Sequence, residues 1–277
     1  AVGIMVMLYV QNPEWPEMWN GFGTKYEANP IFPMMFISIA CGAISGFHGT
    51  QSPLMARCIK SERHCRPIFY GAMVAEGIVA LIWAAAATCF FQENGIIDAA
   101  TGKAFSGAAV ATRISNEWLG TFGGILALLG IVAAPITSGD TALRSARLIA
   151  ADFLNFDQRP ISKRLMICIP IFLITIGVLV YSLSDAEGFK IIWRYFAWCN
   201  QTLAVFTLWA ITVYLVKEKK NFYISFLPAL LMTLVCSTYI CIAPEGLSLP
   251  QGLSYAIGGA CTLAALIWFI IWYKKRR

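Results

Sequence analysis

APITSGDTALRSARLIAAD, residues 134–152, decides how this chain is read. An apolar, membrane-length segment runs into Pro135, passes through Thr137, Ser138 and Gly139, and gives way to a polar stretch carrying Arg144 and Arg147. The pattern predicts a helix that breaks and restarts. Pro135 perturbs the span, Ser138, Gly139 and Asp140 end it, and Asp140 or Thr141 can cap the helix that follows to residue 154. A second stretch, ISGFHGTQSPLMARC at 44–58, has the same grammar. A span over 31–47 measures about 25 Å as a helix, short for a hydrocarbon core of about 30 Å. It contains Pro33 and closes on Gly42, Ser45, Gly46 and His48, while Ser52-Pro53 supplies a start signal for a helix over 53–60. Gly49, Thr50 and Gln51 would then expose unpaired backbone between the two helices. Such backbone is tolerated at membrane depth only where protein or a water-filled cavity satisfies it, and interrupted segments of this kind mark transporter binding sites. Ordinary helix ends meeting ordinary loops, with Pro and Gly as punctuation, would look the same.

Working outward, the 277 residues are 58% hydrophobic and 13% charged with a mean hydropathy of +0.66, against about 25% charged in soluble domains. The apolar residues come in nearly charge-free runs long enough for membrane-crossing helices, without the strand alternation of a membrane barrel. The expected fold is an all-α integral membrane bundle with broken helices, forming one transmembrane domain. A partial helix occupies 1–10, and spans lie near 31–47, 68–91, 119–138, 164–183, 191–216, 222–243 and 251–273. The opening AVGIMVMLYV has no initiator Met, charged n-region or cleavage site, so the chain reads as the C-terminal part of a longer protein rather than one led by a signal peptide. The nine cysteines are scattered, mostly inside apolar runs, and show no disulfide framework.

Charge orients the spans. Sixteen of the 21 basic residues fall in loops 48–66, 139–164 and 217–221 and in the tail after 273. The alternate loops hold only Lys25, Lys103, Arg113 and Lys190. The positive-inside rule places the basic loops and the C-terminus in the cytoplasm, which accounts for the net charge of +6 without nucleic acid. The outer loops 11–30, with Trp15 and Trp19, and 92–118, with a Gly- and Ala-rich stretch over 99–111, are long enough for structure of their own. Trp at this depth usually anchors at the interface. No P-loop is present, which argues against an ATP-driven pump within this part of the protein.

Several polar residues stand inside apolar runs. Glu76, in the middle of YGAMVAEGIVALIWAAAA, costs at least about 2.5 kcal/mol near the bilayer centre unless it is neutral, paired or facing a cavity. It is a candidate proton carrier or cation ligand, or a structural carboxyl bonded to a neighbouring helix. His48 adjoins the first break and can relay protons or hold structure. Asn200 and Gln201 lie deep in IIWRYFAWCNQTLA, where helix glue and substrate contact are equal readings. Arg194 is within a turn of Lys190 and can snorkel. Arg144 and Arg147 serve as anion contacts or as topology markers. Cys58, His64 and Cys65 give three potential ligands where structural zinc takes four, so no metal site is expected.

Taken together, ISGFHGTQSPLMARC, YGAMVAEGIVALIWAAAA, APITSGDTALRSARLIAAD and IWRYFAWCNQTLA, in this order, resemble the carbon starvation protein A (CstA) family of bacterial inner-membrane transporters. The likeness runs from residue 29 to 216, and beyond that it is mainly hydropathic. It implies a secondary transporter related to the amino acid–polyamine–organocation superfamily, taking up peptides or pyruvate during nutrient limitation, pyruvate with protons. Carried over by motif, the candidate substrate site comprises His48, Gly49, Thr50, Gln51, Ser52, Thr137, Ser138, Gly139, Asp140, Thr141, Asn200 and Gln201. Glu76 and His48 are the proton-coupling candidates. No catalytic residue and no cofactor beyond a proton or other cation gradient is expected, and the partners are the lipid bilayer and a small carboxylate or peptide. The rival classes are an intramembrane enzyme, against which stands the lack of GxSxG, HExxH or paired intramembrane aspartates, and a nutrient sensor, which would append a signalling domain. The two breaks both follow spans running outside to inside, so they are not mates of an inverted repeat.

Overall fold

The structure, a computed structural model, describes residues 1–11, 31–39, 44–94, 105, 107–184 and 186–276. Trp15, Trp19, Gly42 and positions 99–104 of the Gly- and Ala-rich stretch lie outside the described residues. Among the described residues the order is α1 (Val2–Gln11), α2 (Ile31–Ser38), α3 (Phe47–Ala56), a single 3₁₀ turn (Glu62–His64) and a π-helical turn (Arg66–Gly71), α4 (Ala72–Asn94), α5 (Gly107–Phe153), α6 (Ile161–Ser184), α7 (Ala186–Lys217), α8 (Tyr223–Ile242) and α9 (Gln251–Lys274), with no strand. Among the described residues six helical stretches are long and apolar enough to cross a membrane. The shortest, α8, has 20 residues and so rises about 30 Å. Large apolar side chains cover their outer faces: Phe172, Leu173 and Ile174 on α6 and Leu263, Ile267 and Trp268 on α9 are all about half exposed or more. Faces of this kind belong against lipid, and the molecule is an all-α membrane bundle.

Two compact units divide the chain, one formed by 1–24 and 59–144, the other by 25–58 and 145–277. In the first, α1, α4 and the beginning of α5 enclose Ile4, Ala86, Phe90, Phe91 and Ile114, with Trp83 and Trp118 packed against them. Phe90 meets Phe91 and Trp118 edge to face, the geometry aromatic quadrupoles prefer.

In the second unit α7, α8 and α9 form an antiparallel series, with α2 against α8 and α7 and α3 against α7. Ser225, Ala229, Met232, Val235, Cys236 and Tyr239 of α8 are buried, a three-to-four-residue stripe turned to the core. Small residues bring the helices close: Ser254 and Gly258 of α9 are buried, and a side chain at Gly258 would collide with Thr238. Polar contacts cross the same interfaces, Thr212 to Ser225 at 2.9 Å and Trp209 Nε1 to Thr233 at 3.1 Å.

Two expectations are corrected. The break expected over 135–141 is absent, because α5 runs through Thr137, Ser138, Gly139, Asp140 and Thr141 as continuous helix. The hydroxyls of Thr137 and Thr141 bond back to the carbonyls of Ala133 and Thr137, and Asp140 pairs with Arg144 at 2.8 Å one turn on instead of capping a new helix. One glycine costs a helix only about 1 kcal/mol, too little to open it. The interruption of α5 lies at Gly120, whose φ of 65° and ψ of −174° suit glycine almost alone. The expected span over 119–138 is therefore a longer helix running from that kink to Phe153. The first break exists but lies earlier: α2 ends at Ser38 and α3 begins at Phe47, so His48, Gly49, Thr50, Gln51 and Ser52 are helical and Pro53 lies within α3.

Candidate functional site

The break between α2 and α3 is held by two adjacent side chains of α7. Ending α2 leaves carbonyls without intrahelical partners, and starting α3 leaves amides. Gln201 Nε2 donates to the Phe36 carbonyl at 2.9 Å, on the α2 side. Asn200 Oδ1 accepts the Phe47 amide at 3.0 Å and the Ser45 hydroxyl at 3.3 Å, on the α3 side. Both carboxamides are buried, Asn200 to 6% exposure and Gln201 to 1%. Consecutive residues on a helix point about 100° apart, which lets one turn of α7 reach both ends of the gap. Gly46 and Gly49 make the approach possible: a Cβ on Gly46 would collide with the Asn200 carbonyl and the Ala204 amide, and one on Gly49 would come within 2.5 Å of the Thr207 hydroxyl. Locally, the cap is poor. Gly46 carries no side chain, and Ser45 Oγ reaches the Phe47 amide only at 3.3 Å. The start of α3 is therefore fixed by tertiary contact, and Ser52-Pro53 is overruled as its start.

His48 Nδ1 lies 3.0 Å from the Ser45 carbonyl, which can only accept, so Nδ1 is the donor there. Thr50 bonds back to the Phe47 carbonyl at 2.9 Å. Gln51 and Ser52 are half-buried on the same short helix. Glu76 is half-buried on α4 and engaged. It belongs to the first unit together with Thr137, Ser138, Gly139, Asp140, Thr141 and Arg144, whereas Arg147, His48, Asn200 and Gln201 belong to the second. Arg144 and Asp140 are both more than half exposed, while Arg147 has its Nε buried without a hydrogen-bond partner among the described residues. So too is Gln201 Oε1, the second polar atom of the clamp.

Arg194, read as a snorkelling side chain, has a partner the sequence reading missed. Its guanidinium lies 3.5 Å from Glu245, whose side chain is only 7% exposed. The Tyr239 hydroxyl donates to the same carboxylate at 2.5 Å and the Tyr195 hydroxyl to the Glu245 backbone carbonyl at 2.7 Å. The signal was available, since an arginine inside an apolar run calls for an acid, and the chain has only 15.

A lipid-exposed helical bundle in which one long helix bonds both the end of α2 and the start of α3 defines a multi-pass membrane protein. Comparison with known proteins supplies the family. The model of "Carbon starvation protein CstA" matches residues 1–118 and 91–239, and the chain belongs to that family. It is 45% identical over 130 residues to an uncharacterized protein of Haemophilus influenzae, covering 47% of this chain and 90% of that one. It is 26% identical over 296 aligned residues to the peptide transporter CstA of Helicobacter pylori, 84% of this chain and 43% of the relative. It is 39% identical over 93 residues to the pyruvate/proton symporter BtsT of Escherichia coli, 31% of this chain and 13% of that one. The chain thus spans less than half the length of these two named relatives. No solved structure matches it.

Proposed function

We propose that the protein works as a secondary importer of peptides or pyruvate across the bacterial inner membrane, driven by protons and serving cells short of carbon, within a fold of the amino acid–polyamine–organocation type. The observation that carries this reading is the α2–α3 break held by Asn200 and Gln201, taken with relatives named as a peptide transporter and a pyruvate/proton symporter. Both substrate classes bear a carboxylate, and the N-terminal turn of a helix attracts anions. On this reading the first turns of α3, from His48 to Ser52, face the carboxylate, and Asn200 and Gln201 keep the gap open instead of binding the substrate themselves. Thr137 to Thr141 with Arg144 in the first unit, and Arg147 in the second, are separate candidates for substrate contact, carried by continuous helix in place of unwound backbone. Glu76 or His48 carries the proton. The basic loops and the C-terminus face the cytoplasm.

Uptake of labelled pyruvate and of labelled dialanine into proteoliposomes, using the protein as its gene encodes it and an imposed proton gradient, tests the proposal. Accumulation of either one that collapses with a protonophore supports it. Accumulation of neither overturns it. Glu76→Gln should abolish gradient-driven accumulation while leaving exchange; unaltered coupling would move the proton to His48.

A further inference from the structure

Apart from the break, the second unit contains a cavity of about 380 Å³, within the size range of about 300–1,000 Å³ in which small ligands bind. Arg194 and Glu245 line it together with Trp193, Tyr239, Met34 and Ile37. Its position follows from connectivity: Glu245 lies between the end of α8 and the start of α9, and Arg194 is eight residues into α7. Both mark the end of this unit opposite Lys217, Lys219 and Lys220.

The two charges are held unequally. Glu245 is buried and accepts from Tyr239, and Tyr195 fixes its backbone. Arg194 is half exposed and reaches Glu245 only at 3.5 Å, through one nitrogen. A guanidinium carries five donors and fits a carboxylate best in a two-pronged pair. One long contact therefore leaves most of its donors for something else, and the cavity lies against it. Met34, Ile37 and Trp193 give the cavity apolar and aromatic walls, and the Ser38 hydroxyl, its hydrogen spent on the Met34 carbonyl at 3.1 Å, can still accept.

We propose that this cavity is an entry site for the substrate's carboxylate, that Arg194 binds it in the two-pronged manner, and that Glu245 is the internal carboxylate it displaces. The inference rests on the transport reading for the class of ligand, and it adds a site on the α2 side of the α2–α3 break, lined by the last turn of α2. Glu245 keeps Arg194 in place when no substrate is present and yields it to an incoming carboxylate, so the resting ion pair sets a threshold for binding.

Calorimetric titration of the purified protein, as encoded, with pyruvate, with dialanine and with pyruvamide tests this. Pyruvate or dialanine should bind and pyruvamide, which lacks the carboxylate, should not. Glu245→Gln keeps an oxygen for Tyr239 but removes the competing charge, so it should tighten binding on the order of tenfold. Arg194→Gln should remove the cavity's component of that binding, and Arg194→Lys, a point charge without the fork, should retain a weak remnant of it. A purely structural ion pair predicts the reverse for Glu245→Gln, unchanged or weaker binding, and that result overturns the proposal. So does binding at wild-type strength in Arg194→Lys, or none of either carboxylate to the wild type. The two readings separate cleanly: normal proteoliposome uptake by an Arg194 variant removes the entry site alone, whereas no uptake by the wild type removes the transport reading while the titration still judges the site.

Discussion

Asn200 supplies from a neighbouring helix the cap that the residues before Phe47 lack, since Gly46 has no side chain and Ser45 reaches the amide only at 3.3 Å. A buried amide deprived of its acceptor costs about 1–3 kcal/mol. Asn200→Leu, similar in size but without the acceptor, should lower stability by that amount in detergent-solubilised protein followed by thermal unfolding. Asn200→Asp should lose less, because it keeps the acceptor and sets a negative charge at the amide end of α3. Equal melting of Leu and wild type would remove Asn200 as a cap. Gly46→Ala tests the same joint from the other side. The atoms its methyl group would strike belong to the α7 backbone, which has no rotamer to change, so a loss of about 1–3 kcal/mol is expected from overpacking. Wild-type melting of that variant would mean that α3 does not lie against α7 at this point.

At the scale of elements, two glycines that look alike in the sequence have opposite roles. Gly139, mid-helix in α5, has open space around its missing Cβ, while Gly120 adopts a positive φ. Gly139→Ala should therefore raise stability by about 0.5–1 kcal/mol, the usual helix preference for alanine. Gly120→Ala should lower it by about 1–3 kcal/mol. A destabilised Gly139→Ala would restore the break expected over 135–141. Here the limit of sequence reading is physical. Hydropathy and length made α4, α6, α7, α8 and α9 legible, because burial against lipid is a property of whole segments. The place where a helix opens is decided by a few kcal/mol and by partners far along the chain. Thr137-Ser138-Gly139-Asp140 has every local signal for a stop, yet the helix continues through it, with the Thr hydroxyls bonded back to the preceding turn and Asp140 paired with Arg144. Ser52-Pro53 has every signal for a start, yet contacts about 150 residues away start α3 six positions earlier. The same holds for the site. Asn200 and Gln201 stood out as polar residues in an apolar run, but which helix ends they would hold was not written in their neighbours. The family likeness, carried by motifs within 29–216, underestimated its own reach, since the family model matches as far as residue 239.

For the molecule as a whole, the distribution of charge outweighs the local interests of its helices. Lys163 and Arg164 stand in the first turn of α6, where the helix dipole favours acids, while Lys217 and Lys274 stand in the last turns of α7 and α9, where it favours bases. Helix stabilisation would place charge at the two ends by opposite rules. What these positions share instead is a side: by connectivity, the start of α6, the end of α7, the start of α8 and the end of α9 lie at one end of the second unit. Glu245 and Arg194 lie at the other. A basic side that ignores dipoles is the mark of orientation by the positive-inside rule, so a green fluorescent protein fused after Arg277 should fluoresce and an alkaline phosphatase fused there should be inactive. An epitope inserted at Ser248 should be reached by antibody from outside in cells with a permeable outer membrane. Neutralising the tail lysines alone should not invert this, because Lys217, Lys219 and Lys220 hold the preceding hairpin on the same side. The opposite result would have a consequence beyond topology. It would turn the Arg194–Glu245 cavity toward the cytoplasm, and a carboxylate bound there would be leaving the protein, so Glu245→Gln, by holding the substrate more tightly, should then slow net uptake where an outward-facing cavity predicts a lower KM.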